Sequence, residues 1–134
     1  MVRQDDALAK AYIEGRENVR IAPPYMGLVV ERGDKIIGAF ILNDYLPPQN
    51  IEMSAVINGP VSVPDLRDIF RYCFARVGRI TARTSTNNNR TLRMLRVLGF
   101  RQEGVLREWF QDGSDAVVFG LLKSEQRIAR SYGH

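Results

Sequence analysis

The sequence predicts an α+β fold: one domain over residues 1–134, with a central mixed sheet flanked by helices. Three observations predict it. Strand-like runs separated by tight turns fill much of the first half, which marks antiparallel hairpins. Two strongly patterned helices, over residues 66–77 and 88–98, each carry the chain from one strand-like run to the next, so they read as crossovers back to the same sheet. A length of 134 residues, 45% hydrophobic and 25% charged, is enough for one buried core.

The elements follow in order. Residues 4–14 read as a short helix, and the charged stretch from Gly15 to Arg20 ends at Pro23-Pro24. Residues 25–31 are strand-like, Arg32-Gly33-Asp34 is a hairpin turn, and residues 35–42 form the return strand. Residues 43–49 hold Pro47-Pro48 and read as a loop. Asn50–Ile57 alternates, with Ile51, Met53, Ala55 and Ile57 on one face and Glu52, Ser54 and Val56 on the other. Asn58-Gly59-Pro60 breaks that strand. Leu66, Ile69, Phe70, Cys73, Phe74 and Val77 then fall at helical spacing. Ser62 and Asp65 make a variant capping box, with Pro64 in the permissive first turn. Gly78 ends this helix, residues 79–84 form a short strand, and residues 85–87 a polar loop.

Asn88 is placed to cap the next helix. At about 100° per residue, Thr91 falls on the same face as Leu95 and Leu98. A hydroxyl there needs a partner, either backbone or a ligand against the helix start. Gly99 suits the left-handed position past the helix end, and Phe100 re-enters the core. Residues 101–107 and Ala116–Leu122 are two strands joined around Gln111-Asp112-Gly113-Ser114, and a polar, basic tail follows from Lys123.

Composition excludes several chemistries. The only cysteine, Cys73, rules out an internal disulfide or a cysteine metal cluster and reads as a small core residue. The single histidine, His134, is terminal, which excludes histidine triads and histidine metal sites, so no metal is expected. No apolar run is long enough for a membrane helix, and the first residues lack a signal-peptide core, so the expected location is the cytoplasm. The net charge of +4 is carried mostly by arginines spread along the chain. They suit a solvated surface or a phosphate-bearing ligand better than nucleic acid.

The stretch Asn88, Thr91, Leu98-Gly99-Phe100 and Glu103-Gly104 resembles the GNAT acetyltransferase superfamily, in particular its ribosomal-protein N-terminal acetyltransferase branch. That branch carries Asn-x-x-Ser, a helix, Leu-Gly-Phe and then Glu-Gly; here Thr91 stands for the Ser. The order of elements over residues 25–122 agrees, with a shortened N-terminal part. The resemblance implies a GNAT-like acyl-CoA N-acyltransferase fold. Acetyl-CoA, the co-substrate, would lie in a gap between Asn50–Ile57 and residues 79–84. Its pantetheine would pair with backbone at Val56 and Ile57, and its pyrophosphate would meet the helix start at Ser62 and Val63. Asn88, Thr91 and Arg93 are further candidate cofactor contacts. With Arg90 and Arg96, Arg93 lines a helix face that is either solvated or meets a CoA phosphate or an acidic acceptor.

Two departures stand out. The phosphate loop of the family is glycine-rich, whereas the corresponding stretch is Ser62-Val63-Pro64-Asp65-Leu66-Arg67. A carboxylate there repels phosphate, and Pro64 has no N–H. Leu95 occupies the place of a Tyr that often protonates the leaving thiolate. Glu52 is the candidate general base, the other possibility being an ordinary strand residue on an outward face. Glu103 reads as structural, and Trp109 and Phe110 as either an acceptor-pocket wall or packing. The implied function is transfer of an acetyl group to an amine, on a small molecule or a protein N-terminus. A GNAT-shaped module that binds without catalysis is the other class the departures favour.

Overall fold

The computed structural model describes residues 1–16 and 20–128. His134, the end of the basic tail and part of the charged stretch before Arg20 lie outside the described residues. In chain order the elements are β1 (Val2–Gln4), α1 (Asp6–Glu14), β2 (Met26–Arg32), β3 (Lys35–Leu46), β4 (Asn50–Ile57), α2 (Val63–Phe74), β5 (Arg79–Ser85), α3 (Asn89–Val97), β6 (Arg101–Leu106) and β7 (Ala116–Leu122). The strands form a seven-stranded sheet in the order β1-β2-β3-β4-β5-β7-β6. Among the described residues only the β4–β5 pair is parallel, and α2 is the crossover between its strands. The fold class is therefore α+β with a mixed sheet, as the hairpin and crossover pattern predicts.

Two boundaries differ from the sequence reading. The first helix begins at Asp6, because Val2–Gln4 is drawn into the sheet beside β2, with Val2 opposite Val30. Asp5 then caps the helix by accepting the Leu8 N–H at 3.1 Å. The expectation of a helix as the first element is thus corrected: a short strand precedes it, and one helix follows before β2. Strand β3 continues to Leu46 through residues expected to form a loop, and stays paired with β4 there. Its register slips between Asn43 and Leu46, and Asp44 takes a φ of 45°. The prolines at 47 and 48 end the strand only after that irregular stretch.

Helices α2 and α3 pack on one face of the sheet. Ile69, Phe70 and Phe74 of α2 and Leu92 and Leu95 of α3 meet Phe40, Ile80, Phe119 and their neighbours there. Phe70 meets Phe74 and Phe100 edge-on, at centroid distances of 6.3 and 6.2 Å. Cys73 is buried in the same core, where loss of hydration pushes its thiol up to about 12, so it packs rather than reacts. On the other face, Ala9, Tyr12 and Ile13 of α1 cover Val29, Ile41 and Val56. Among the described residues no helix extends that cover over β5, β7 and β6. One face of the sheet is thus roofed along its length, the other over half of it, and the bare half carries the polar side chains.

Candidate active site

Strands β4 and β5 are paired only from Asn50 opposite Arg79 to Met53 opposite Ala82. Beyond that point β4 stays with β3 to Ile57, and β5 stays with β7 to Ser85, so the central pair opens into a gap. Ser54 and Ala55 are exposed although they lie on an interior strand. This exposure marks the loss of the neighbour on one side. Val56 and Ile57 continue along the same edge, Val56 being buried against α1. Because β4 and β5 are parallel, α2 and α3 both start beyond the end of the sheet where the gap opens. Val56 and Ile57 lie along the edge of the gap, Ser62 and Val63 at the start of α2, and Asn88 and Thr91 at the start of α3, while Arg93 lies midway along that helix.

Glu52 lies on the bare face, one residue before the pairing ends. It is only 9% exposed and lines a cleft of about 720 Å³ with Tyr25, Asp44, Tyr45, Thr81 and Arg83. It is not an outward-facing strand residue. Burial pushes its carboxyl above the ordinary range; Arg83 opposes that rise and the nearby Asp44 carboxylate adds to it. The Arg83 Nη1 sits 3.1 Å from the Glu52 carboxylate. Asn50 and Thr81 join across the pair just below, the Thr81 hydroxyl donating to Asn50 Oδ1 at 2.7 Å.

Glu103 is structural. It pairs with Arg79 across β7 at Gly120, where a Cβ would collide with both side chains. The hydrogen bonds from Arg79 hold the Glu103 carboxyl below its ordinary range. Trp109 is 51% exposed, and the Arg83 guanidinium lies over its ring at 4.9 Å. Asp44 and Arg83 escaped the sequence reading. Period-2 alternation would have put Arg83 on the Glu52 face, since Thr81 stands opposite Glu52. Nothing in the sequence announces the left-handed turn that brings Asp44 to the cleft.

The helix starts differ in what they offer an acyl-CoA. At α2, Ser62 Oγ accepts the Asp65 N–H at 3.2 Å, and the Asp65 carboxylate reaches back to the Ser62 N–H at 3.4 Å, which completes the capping box. Asp65 is buried, with Arg32 Nη2 at 2.9 Å and the Met1 ammonium at 3.3 Å. Burial alone would raise its carboxyl, but the Ser62 hydrogen bonds and the Met1 charge outweigh that and lower it. The carboxylate is therefore ionised where the family resemblance puts a pyrophosphate, and of the first-turn amides Pro64 has no N–H. The gap offers an extended chain a backbone edge; the start of α2 does not offer a phosphate a cradle. At α3, Asn88 Oδ1 accepts the Thr91 N–H at 3.1 Å, and the first turn has no acid. Thr91 itself is half-exposed, the buried positions of α3 being Leu92 and Leu95. Its hydroxyl is not stranded in an apolar face, contrary to the 100° projection, because α3 rolls Leu92 inward instead. Arg93 is exposed, and Leu95, at the place of the family's Tyr, is core.

No protein-family model and no curated protein matches the chain. Among solved structures it is similar to mutant forms of the spermidine/spermine N-acetyltransferase SpeG from Vibrio cholerae, with a TM-score of 0.76 at 16% identity over 92% of this chain and 95% of that one. It is similar to RimJ from Mycobacterium smegmatis in complex with CoA-disulfide, with a TM-score of 0.68 at 20% identity over 79% of this chain and 57% of that one. It is also similar to the ribosomal-protein-S5-alanine acetyltransferase from Vibrio fischeri, with a TM-score of 0.64 at 18% identity over 77% of this chain and 64% of that one. The chain thus spans less than two thirds of the length of RimJ and of the S5-alanine acetyltransferase. A mixed sheet opened between its parallel strands, with three acetyltransferases as structural neighbours, gives the chain a GNAT-like acyl-CoA N-acyltransferase fold.

Proposed function

We propose that this protein, acting as a single domain in the cytoplasm, transfers an acetyl group from acetyl-CoA to an amine, with Glu52 as general base. The observation that carries the reading is the buried carboxylate of Glu52, lining a cleft one residue below the point where β4 and β5 part. In the reaction, Glu52 takes a proton from the acceptor ammonium, directly or through water. The neutral nitrogen attacks the thioester carbonyl and a C–N bond forms; the nitrogen gives its second proton to water, the C–S bond breaks, and CoA leaves as thiolate. A carboxyl raised by burial is a stronger base than an exposed one, which suits this task. With Leu95 in the core, the thiolate takes its proton from solvent. Asp44, Tyr25 and Tyr45 in the cleft support a cationic acceptor, through charge and through aromatic faces. The neighbours' names give spermidine and spermine and an alanine of ribosomal protein S5, and the acceptor classes proposed for this chain are an amine-bearing small molecule or a protein N-terminus.

The test joins binding to turnover. Acetyl-CoA at a hundred times its dissociation constant stabilises a domain that binds it only when folded by about 2.7 kcal/mol, visible as a thermal shift. Transfer to spermidine and to an alanine-led peptide is then measured for the wild type and Glu52→Gln. The variant is expected to lose on the order of 10²–10⁴ in kcat/KM. A full rate in Glu52→Gln removes it as the base. Absence of any thermal shift favours the second reading, a GNAT-shaped module without catalysis, which the ionised, buried Asp65 at the start of α2 supports.

A further inference from the structure

Arg83 occupies the first position of β5 beyond the paired segment, as Glu52 occupies the last but one within it on β4. The two side chains share the bare face of the sheet and meet at 3.1 Å. The guanidinium is fixed from behind by the Trp109 ring at 4.9 Å. Its Nε is buried and has no acceptor among the described residues. A surface ion pair would show neither the aromatic support nor the buried donor.

We propose that Arg83 is the positioning residue for Glu52, holding the carboxylate at the mouth of the β4–β5 gap while Trp109 holds the guanidinium. The proposal rests on the acyl-transfer reading of the same cleft. Glu52 is faced by Asp44 from β3 and Arg83 from β5, and Arg79, Tyr25 and Tyr45 line the cleft around them. Burial and Asp44 both favour the protonated acid, and Arg83 is the cation that opposes them. Without it the base would be protonated over more of the working pH range and free to change rotamer.

The experiment is a carbon-detected NMR titration of the Glu52 carboxyl, assigned through Glu52→Gln, in the wild type, Arg83→Gln and Arg83→Lys. The midpoint is expected to move up in Arg83→Gln and to return toward the wild-type value in Arg83→Lys, which restores the charge. An unchanged midpoint in Arg83→Gln overturns the proposal, whether or not the protein transfers acetyl groups. Where transfer is measured, Arg83→Gln is expected to lose roughly tenfold in kcat/KM at neutral pH, with much of the loss recovered at higher pH as Glu52 ionises. A loss that is uniform with pH would mean that Arg83 only supports the fold, and would overturn the proposal as well. A normal NMR result with no transfer to any amine leaves Arg83 as the partner of Glu52 and rejects the acyl-transfer reading instead.

Discussion

The starts of α2 and α3 stand beyond the same end of the sheet, and each is capped by a side chain that accepts the N–H three residues on. Their electrostatics are opposite. At α2 the capping box brings a buried, ionised carboxylate, Asp65, into the first turn, with Arg32 held against it. At α3 the cap is the neutral Asn88, the first turn has no acid, and Arg90 and Arg93 are exposed nearby. A helix N-terminus favours an anion because its amides are unpaired and its dipole is positive there. The first start has already supplied its own anion; the second has not. Fold likeness alone would treat both as parts of a cofactor site, and only the residues tell them apart.

The largest difference should appear in stability. Asp65→Ala removes a buried carboxylate that holds charge-assisted hydrogen bonds, a loss of about 2 kcal/mol. Asn88→Ala removes one exposed cap, a loss of about 1 kcal/mol. Urea unfolding of both variants at neutral pH measures the contrast, and equal losses would abolish it. Acid sharpens it further. The Asp65 carboxyl is lowered from its ordinary 3.8, so its stabilisation is complete above that value and disappears as pH falls through the lower folded value. The deficit of Asp65→Ala relative to the wild type should therefore shrink in that range, while that of Asn88→Ala, a neutral cap, should not.

The contrast was legible in the sequence to the extent that it is local. Ser62, Pro64 and Asp65 announce the closed start, and Asn88 with Leu98-Gly99-Phe100 announces the other helix, because capping and left-handed glycines are decided within a few residues; Gly99 does sit at a φ of 98°. The bounds of Asn50–Ile57 follow from alternation in the same way. What depends on distant partners was not legible. Val2–Gln4 becomes a strand only because β2 offers an edge, and β3 outruns its expected end only because β4 pairs with it through the irregular register. The surroundings of Glu52 are of that second kind, since Asp44 and Arg83 come from two other strands. So is the depth of Thr91, which depends on how α3 rolls against the sheet.

A smaller effect is expected on binding. If acetyl-CoA places its phosphates near the start of α2, Asp65→Gly should bind it more tightly, because a repelling carboxylate is gone and a backbone amide becomes more accessible. The gain should be several-fold at low ionic strength and should diminish as salt shortens the Debye length from about 30 Å at 0.01 M to about 8 Å at 0.15 M. Calorimetric titration of the wild type and the variant at both salt levels measures it. Equal affinities at low salt would put the phosphates away from Asp65, with the α3 start as the remaining helix end at the gap.

The smallest expected effect discriminates most finely between the two starts. Thr91→Val keeps shape, removes a hydroxyl and leaves the Thr91 backbone N–H on Asn88 intact. Since Thr91 is half-exposed and not at the centre of the buried face, the fold should change by no more than about 0.5 kcal/mol. Any larger loss in acetyl-CoA affinity would then belong to the ligand, not to the helix. Pairing this variant with Asn88→Ala separates the roles: the cap should cost stability first and the hydroxyl binding first. If calorimetry gives unchanged affinity for both variants, the Asn88–Thr91 motif is a helix start and nothing more. The positive charge of Arg90 and Arg93 beside it would then be ordinary surface, and the contrast between the two helix starts would lose its functional meaning.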